Sequence, residues 1–138
     1  EKQERLLSLV PEKHKRFMQL AVENGRSVFP GYKRIRHGNQ VLELRFDGIA
    51  GCLRTPEGGS SRQFLVLREN GSFKTRLLTI KEAASLMGVS EDYKLPGTYN
   101  DGYKAMGDAV AVPVSRYLAE KLLSPLADLA QREAIDVH

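Results

Sequence analysis

The sequence predicts an α+β fold, with a β-rich first part followed by a set of short helices. Apolar and polar residues alternate over residues 42–46, as expected of a half-buried strand. Turn-forming residues at 37–39 and at 69–71 separate pairs of apolar segments, which predicts two hairpins. From Thr79 onward the apolar residues recur at helical spacing instead. Because strands and helices do not alternate, this chain cannot build a Rossmann-type parallel sheet by itself.

The first predicted elements are a helix and a hairpin. Apolar residues recur at helical spacing over residues 3–24, and Gly25 is the expected C-terminal stop. Pro11 then lies in a first turn or divides the helix in two, because proline disrupts a helix interior. Residues 32–46 follow as a hairpin that turns at residues 37–39.

A long segment without periodicity comes next. Residues 47–63, DGIAGCLRTPEGGSSRQ, contain four glycines, one proline and two arginines. Regular packing does not require such a composition, which is typical of a functional loop. Short strands are predicted after it at 64–67 and 73–78, joined by a turn at 69–71.

Short helices complete the chain. They are predicted at residues 79–88, 98–106 and 112–123, with residues 126–138 as a frayed helix or a tail. Thr79 and Glu82 have the spacing of a capping box, which marks the start of the first of these helices. Gly88 ends it, and Gly107 is expected to close the second.

Size and composition favour one cytoplasmic domain. The 138 residues are 41% hydrophobic and 28% charged, as in ordinary globular proteins. No apolar run approaches the ~20 residues of a membrane span, and no signal peptide is visible, so no membrane association is expected. The chain does not begin with Met, which indicates an origin in a longer protein. Cys52 is the single cysteine, and the three histidines are dispersed, so no metal site is predicted.

Charge is distributed unevenly along the chain. Residues 1–80 contain 15 Lys or Arg against 8 Asp or Glu, a net of +7, whereas residues 81–138 contain 6 against 9, a net of −3. The basic part is where a polyanion would bind. Charge alone does not separate this interpretation from a basic face that only contacts solvent.

Two stretches resemble a known enzyme family. RLLTIKEAASLMGVSEDYKLPG (76–97) is similar to the ninth conserved block of DNA cytosine-5 methyltransferases, and YKAMGDAVAVPVSRYLAEKLL (103–123) is similar to the tenth. FDGIAGCLRTPEGGSSRQFLV (46–66) resembles the end of the target-recognition region before those blocks. The resemblance implies a DNA-binding target-recognition region at 1–78, blocks nine and ten with the return to the catalytic domain at 79–125, and a tail at 126–138. The C-terminal helix would then pack on a missing Rossmann-like methyltransferase domain.

The resemblance also implies a share in a cofactor site. In the family the tenth block borders S-adenosyl-L-methionine, which assigns this role to Gly107, Asp108 and Ala109, with Gly107 allowing a backbone turn. The family has Asn where this chain has Asp108. Asp108 either accepts a hydrogen bond from the cofactor's ammonium group or serves only as the cap of the following helix.

No catalytic residue is predicted. Family members carry a Phe-x-Gly-x-Gly turn, a Pro-Cys nucleophile, a Glu-Asn-Val acid and an Arg-x-Arg pair, all absent here. Their chemistry is attack of a cysteine thiolate on C6 of a flipped cytosine, followed by methyl transfer to C5. Cys52 follows Gly51 rather than proline, and residues 22–24 contain the three residues of the Glu-Asn-Val motif in a different order. The chain is therefore expected to need a large catalytic domain or subunit.

The basic half supplies the predicted contacts to double-stranded DNA. Glycines allow close backbone approach, arginines present forks that match guanine or phosphate, and hydroxyls are short donors. The loop residues in these roles are Arg54, Thr55, Gly58, Gly59, Ser60, Ser61 and Arg62. Lys33, Arg34 and Arg36 of the hairpin are expected to add non-specific phosphate contacts, unless they only contact solvent. By resemblance Cys52 stands where the family has a Thr near the phosphates of the flipped base. Because a thiol is a poorer hydrogen-bond donor than a hydroxyl, the alternative is that Cys52 is a small buried residue.

The combined prediction is the C-terminal portion of an S-adenosylmethionine-dependent DNA cytosine-5 methyltransferase, either a fragment or the small subunit of a split enzyme. A non-catalytic, sequence-specific DNA-binding module is the alternative. A protein-interaction domain would leave the basic loop unexplained. Residues 112–123 are expected to expose an apolar face that docks on the missing domain. In the isolated chain this face should lead to self-association or leave the C-terminal segment mobile. The candidate residues of this face are Val112, Tyr117, Leu118 and Leu122.

Overall fold

A four-stranded sheet lies between two groups of helices in the computed structural model, which describes residues 2–55, 62–95 and 97–136. The strands are β1 (Val28–Arg36), β2 (Asn39–Leu44), β3 (Gln63–Glu69) and β4 (Ser72–Leu77). The helices are α1 (Lys2–Ser8), α2 (Glu12–Glu23), α3 (Ile80–Leu86), α4 (Tyr99–Asp108), α5 (Val112–Leu118) and α6 (Ser124–Asp136). A π-helical stretch, Ala119–Leu123, joins α5 to α6. This mixture of strands and helices agrees with the predicted fold class.

The sheet is antiparallel throughout, in the order β2-β1-β3-β4. Both hairpins turn through two residues with positive φ, at His37 (50°) and Gly38 (78°) and at Asn70 (47°) and Gly71 (81°). Such turns match the right-handed twist of the flanking strands. The two predicted hairpins are confirmed. Strand β1 begins earlier than predicted because residues 28–32 pair with β3.

Two predictions about helix boundaries are also confirmed. Pro11 has the extended ψ of 145° and precedes α2, so it divides the first helical region rather than lying in a first turn. Thr79 caps α3 in a capping box: its side chain accepts a hydrogen bond from the Glu82 N–H, and the Glu82 carboxylate accepts one from the Thr79 N–H.

The core is formed on both faces of the sheet. On one face, α2 covers a cluster of Val10, Met18, Phe29, Leu42, Leu44 and Val66. On the other, α3 and α4 cover a cluster of Leu65, Leu78, Ala83, Ala84, Tyr103 and Met106. The neighbouring residues Leu65 and Val66 belong to different clusters because successive side chains of a strand point to opposite faces. Strand β3 is therefore buried on both sides.

The sheet is curled, and its β2 edge is covered by the first helical region. Helix α1 contacts β4, whereas the Leu42 N–H on the outer edge of β2 donates to the Leu9 carbonyl at 2.8 Å. The Leu44 N–H on the same edge donates to His14 Nδ1 at 3.0 Å. Burial of the imidazole lowers the pKa of His14 and favours the neutral form that accepts this bond. The covered edge cannot pair with another strand.

The predicted end of α4 is wrong. The helix does not stop at Gly107 but continues to Asp108, and Gly107 is not among the described residues with positive φ. The residue that precedes α5 as its cap is Ala111, which makes no side-chain capping bond. Asp108 is therefore not the cap of the following helix. The region predicted as a frayed helix or tail forms α6, which extends to Asp136.

The C-terminal helical region exposes apolar side chains, as predicted. Tyr117, Leu118 and Leu122 are exposed, and Val112 is partly buried. Val114, Leu123, Leu126 and Leu129 extend the exposed apolar surface. None of the helices in the described part of the chain has both the length and the apolar character of a membrane-spanning segment.

Candidate nucleic-acid interface

The first half of the aperiodic loop is anchored to β3. Gln63 is buried at the start of β3, and its side-chain Nε2 donates to the Cys52 carbonyl at 3.1 Å. A Cβ on Gly51 would lie 2.7 Å from that nitrogen, so glycine lets the Gln63 amide approach the loop backbone closely. The Gln63 backbone N–H donates to the Tyr103 hydroxyl at 2.9 Å, and Leu53 packs on the core cluster that contains Tyr103. Residues 51–53 thus have a fixed path.

The next two loop residues are anchored to the end of α4. A Cβ on Gly107 would lie 2.6 Å from the Thr55 nitrogen and 2.7 Å from the Arg54 carbonyl carbon, and both of these are backbone atoms. The Thr55 hydroxyl donates a hydrogen bond to the Asp108 carboxylate. Gly107 is therefore required by the packing of the loop against the helix and not by a backbone turn, which corrects the expectation from sequence.

A cleft of about 510 Å³ lies between this loop and the sheet. Helices α3 and α4 cover the β3–β4 half of the sheet face, and the cleft occupies the β1–β2 half. Its polar lining includes Tyr32, Arg34, Arg36, Arg45, Cys52, Arg54 and Gln63. Tyr32, Arg34 and Arg36 alternate along β1, so their side chains share one face. The structure thus brings four arginines from two distant segments to one surface.

Three of these arginines are paired with carboxylates. Arg36 donates to both oxygens of Glu43, from Nε at 2.6 Å and from Nη2 at 3.2 Å, and Arg34 Nε lies 3.6 Å from the same carboxylate. The hydrogen bond from Arg36 lowers the pKa of Glu43. Arg45 donates to Asp47, and this bond lowers the pKa of Asp47 to about 2. Both carboxylates are therefore ionised at neutral pH.

Arg54 is the exception in this group. Its side chain is exposed, and within residues 2–55, 62–95 and 97–136 no carboxylate forms an ion pair with it. Among the residues that the structure describes, the four guanidinium groups face two carboxylates, an excess of positive charge. Such a surface attracts a polyanion.

Two predicted DNA contacts lie apart from the arginine group. Lys33 borders the cleft, but alternation along β1 places its side chain on the opposite face, with Nζ 5.3 Å from the centre of the Phe64 ring. Arg62 donates to Asn100 Oδ1 at 2.8 Å, and its guanidinium lies 5.5 Å from the centre of the Tyr99 ring. Arg62 is thus held on α4, whereas Arg54 extends from the loop.

Sequence reasoning missed three polar members of the site, Tyr32, Arg45 and Gln63. The alternation over residues 42–46 already placed Arg45, just after β2, on the polar side, but only the pairing of β1 with β2 puts that side next to Arg34. The Tyr32 ring lies 4.6 Å from the Arg34 guanidinium carbon and restricts its position. Four predicted DNA contacts, Gly58, Gly59, Ser60 and Ser61, lie outside the described residues.

Cys52 is exposed, so the prediction of a small buried residue is wrong. Its backbone carbonyl is held by Gln63, and its thiol Sγ, on the rim of the cleft, lies 3.4 Å from the Leu53 carbonyl oxygen. In the described part of the chain, no group of three or more His, Cys, Asp and Glu residues is arranged to hold a metal ion.

The three predicted cofactor-site residues differ in accessibility. Asp108 and Ala109 are exposed at the end of α4, and Val110 beside them is 66% exposed. Gly107 is half-buried, with the loop backbone against its α-carbon. One carboxylate oxygen of Asp108 accepts the Thr55 hydroxyl, and a carboxylate has further lone pairs that can accept donors.

One family model and one known protein match this chain over most of its length. The model of the family described as C-5 cytosine-specific DNA methylase matches residues 10–124. The DNA (cytosine-5)-methyltransferase CMT2 of Oryza sativa subsp. japonica is 34% identical over 103 residues, which cover 75% of this chain and 7% of the relative. No solved structure matches the chain.

Bacterial relatives match shorter stretches. The Type II methyltransferase M.SsoII of Shigella sonnei is 37% identical over 62 residues, 45% of this chain and 16% of that protein. The Type II methyltransferase M.MspI of Moraxella sp is 33% identical over 64 residues, 46% of this chain and 15% of that protein. The chain thus spans no more than 16% of the length of these three relatives.

Proposed function

Because the chain belongs to the C-5 cytosine-specific DNA methylase family, we propose that it is the DNA-recognising C-terminal portion of a DNA cytosine-5 methyltransferase. The observation that carries the proposal is the cleft in which Arg34, Arg36, Arg45 and Arg54 meet. Double-stranded DNA presents a dense row of phosphates and, in its major groove, guanine acceptors that match the arginine fork. The cleft offers both the charge and the geometry for such a ligand.

Within this proposal the cations have different roles. Arg54 is the principal DNA contact, because it is exposed and its backbone is fixed by Gly107 and Thr55. Arg34 and Arg36 follow, since Glu43 holds them in the cleft. Lys33 and Arg62 are peripheral contacts to phosphate. The remaining predicted loop contacts, Gly58, Gly59, Ser60 and Ser61, stay predictions from the sequence.

The chain is proposed to contribute one wall of the S-adenosyl-L-methionine site. Asp108 and Ala109 fit this role because they are exposed and adjacent, and the Asp108 carboxylate keeps acceptor capacity for an ammonium group. Gly107 does not fit it as a direct contact, because the loop backbone covers its α-carbon. The cofactor supplies the methyl group of the reaction. The other walls of the site belong to a large catalytic domain, on which the exposed apolar side of α5 and α6 docks.

Catalysis is proposed to need that partner. The chain lacks the Pro-Cys sequence of the family nucleophile, and its own Cys52 lies in the DNA cleft beside the Leu53 carbonyl. The isolated chain should transfer no methyl group from S-adenosylmethionine to DNA. Addition of a domain that carries the Pro-Cys nucleophile should restore methyl transfer. If the chain were only a DNA-binding module, the mixture would stay inactive. Turnover by the isolated chain would refute the assignment of Cys52 as non-catalytic.

The DNA-binding proposal is tested with two arginine variants. Binding of duplex DNA is measured by fluorescence anisotropy over a range of salt concentrations. Arg54→Ala should weaken binding by about 1–3 kcal/mol if the side chain contacts a base. If the side chain contacts phosphate, affinity should fall equally for all DNA sequences. The salt slope, which is the steepness of log affinity against log salt concentration, should then decrease by about one. Arg62→Ala is the matched control and should have a smaller effect, because Asn100 already binds that guanidinium.

The proposal fails if Arg54→Ala binds duplex DNA as tightly as the unmodified chain at every salt concentration. It also fails if Arg62→Ala abolishes binding while Arg54→Ala does not, because the interface would then lie on α4 rather than in the cleft.

A further inference from the structure

The carboxylate of Glu43 has an unusual position for a surface that binds DNA. It lies opposite Tyr32 in the register of β1 and β2, on the face that carries Arg34 and Arg36. Its side chain is 18% exposed, less than the 50% and 53% of its two arginine partners. A carboxylate that contacts the arginines of a cationic cleft repels phosphate, so it lowers the affinity that the arginines alone would give.

The contacts of Glu43 orient the arginines without using up their donors. Arg36 donates two hydrogen bonds to the carboxylate, from Nε at 2.6 Å and from Nη2 at 3.2 Å. A guanidinium has five N–H donors, so three on Arg36 remain for another ligand. Arg34 lies between the same carboxylate, 3.6 Å from its Nε, and the Tyr32 ring, 4.6 Å from its guanidinium carbon. Both side chains thus have contacts within the chain that orient them towards one carboxylate.

We propose that Glu43 is a positioning residue of the DNA interface: it fixes the directions of the Arg34 and Arg36 side chains and limits their binding to phosphates irrespective of sequence. The inference depends on the proposed function, because it assumes that DNA occupies this cleft. Fixed guanidinium forks favour ligands whose acceptors match their geometry, whereas mobile arginines follow any phosphate. Glu43 therefore lowers the affinity for DNA of any sequence and increases the discrimination between sequences.

Glu43→Gln separates this role from simple packing, because it keeps the shape of the side chain and removes its charge. With a random-sequence duplex as the probe, we expect tighter binding by up to roughly eightfold near 0.1 M salt for each additional phosphate that the released arginines neutralise. The slope of log affinity against log salt should become steeper by about one for each such phosphate. Enrichment of preferred sequences from a random duplex pool should decrease.

Two further variants serve as the control and the second test. Glu69→Gln removes the same charge from the other hairpin, where Glu69 pairs with Lys74 at 2.9 Å, and should leave the salt slope unchanged. Glu43→Asp keeps the charge on a side chain that is one methylene shorter. It should retain the salt slope of the unmodified chain but reduce enrichment, which tests the positioning role even if Glu43→Gln does not fold.

Arg54→Ala distinguishes failure of this inference from failure of the proposed function. If Arg54→Ala weakens DNA binding but Glu43→Gln behaves like Glu69→Gln in affinity, slope and enrichment, the positioning role is refuted and the DNA site stands. If neither Arg54→Ala nor Glu43→Gln changes DNA binding, the cleft is not the DNA site, and both proposals are refuted.

Discussion

Substitution of Gly107 by alanine tests whether α4 holds the DNA-binding loop. The added Cβ would lie 2.6 Å from the Thr55 nitrogen and 2.7 Å from the Arg54 carbonyl carbon. These distances are about 0.8–0.9 Å shorter than the ~3.5 Å at which non-bonded carbon atoms pack well. Both neighbours are backbone atoms, so no side-chain rotation relieves the clash. The loop must move away from the helix by a comparable distance.

The expected magnitude follows from two opposing terms. Overpacking of this kind costs about 1–3 kcal/mol. Replacement of a helical glycine by alanine recovers at most about 1 kcal/mol, and less here because Gly107 is the residue before the last of α4. The clash therefore dominates, and Gly107→Ala should destabilise the fold. Displacement of Arg54 should also weaken duplex binding, by up to the ~1–3 kcal/mol of a base-contacting arginine.

Thermal unfolding and fluorescence anisotropy with duplex DNA measure the two effects. Gly102→Ala is the matched control in the same helix, because its Cβ would lie 2.8 Å from Ile80 Cγ2, a side-chain atom remote from the loop. It should change stability without changing DNA affinity. If Gly107→Ala binds DNA as tightly as Gly102→Ala does, α4 does not position the loop, and the role assigned to the Gly107 contact is wrong.

Three further predictions concern the covered edge of β2, the N-terminal cap of α3 and the exposed apolar surface of the C-terminal helices. Burial lowers the pKa of His14 below its unfolded value, so its contribution to stability is complete above about pH 6.5 and is lost as the pH falls through the folded pKa. The melting temperature should fall between pH 7 and pH 5. His14→Gln keeps an acceptor for the Leu44 N–H but has no group that titrates in this range, so its melting temperature should fall less. Thr79→Ala should destabilise the chain by about 1 kcal/mol in denaturant unfolding, because α3 loses its capping bond to Glu82, whereas an unchanged midpoint would argue against the capping box. The isolated chain should self-associate with increasing concentration in sedimentation experiments, and Leu122→Lys should reduce this self-association. A monomer at all concentrations would exclude the exposed C-terminal apolar side chains as a self-association surface.

Local signals in the sequence were sufficient for most of the elements. The alternation over residues 42–46, the turns at 37–39 and 69–71 and the Thr79–Glu82 spacing each act within a few residues, and the structure contains the hairpins and the helix that they predict. The family was likewise identifiable from the two conserved blocks, which lie within the matched residues 10–124.

The site was only partly predictable, because its members meet through strand pairing and helix packing. Loop composition indicated that Arg54 belongs to a functional surface, but the sequence placed Arg62 beside it on equal terms and added Lys33 as a phosphate contact. The contact of Arg62 with Asn100 joins residues 38 positions apart, and the side of β1 on which Lys33 lies depends on strand register. Neither contact leaves a periodic signal in the sequence.

Gly107 shows most clearly what the sequence determined and what tertiary structure decided. The sequence by itself determined that glycine occurs here, next to Asp108, in a segment typical of one enzyme family. It offered a backbone turn as the reason, since that is the common local use of glycine. Tertiary structure decided otherwise: Gly107 lies inside α4, and a loop more than 50 residues earlier in the chain packs against its α-carbon while Thr55 binds Asp108. Local conformation depends on neighbours along the chain, but a close approach of two backbones depends on where the whole fold places them.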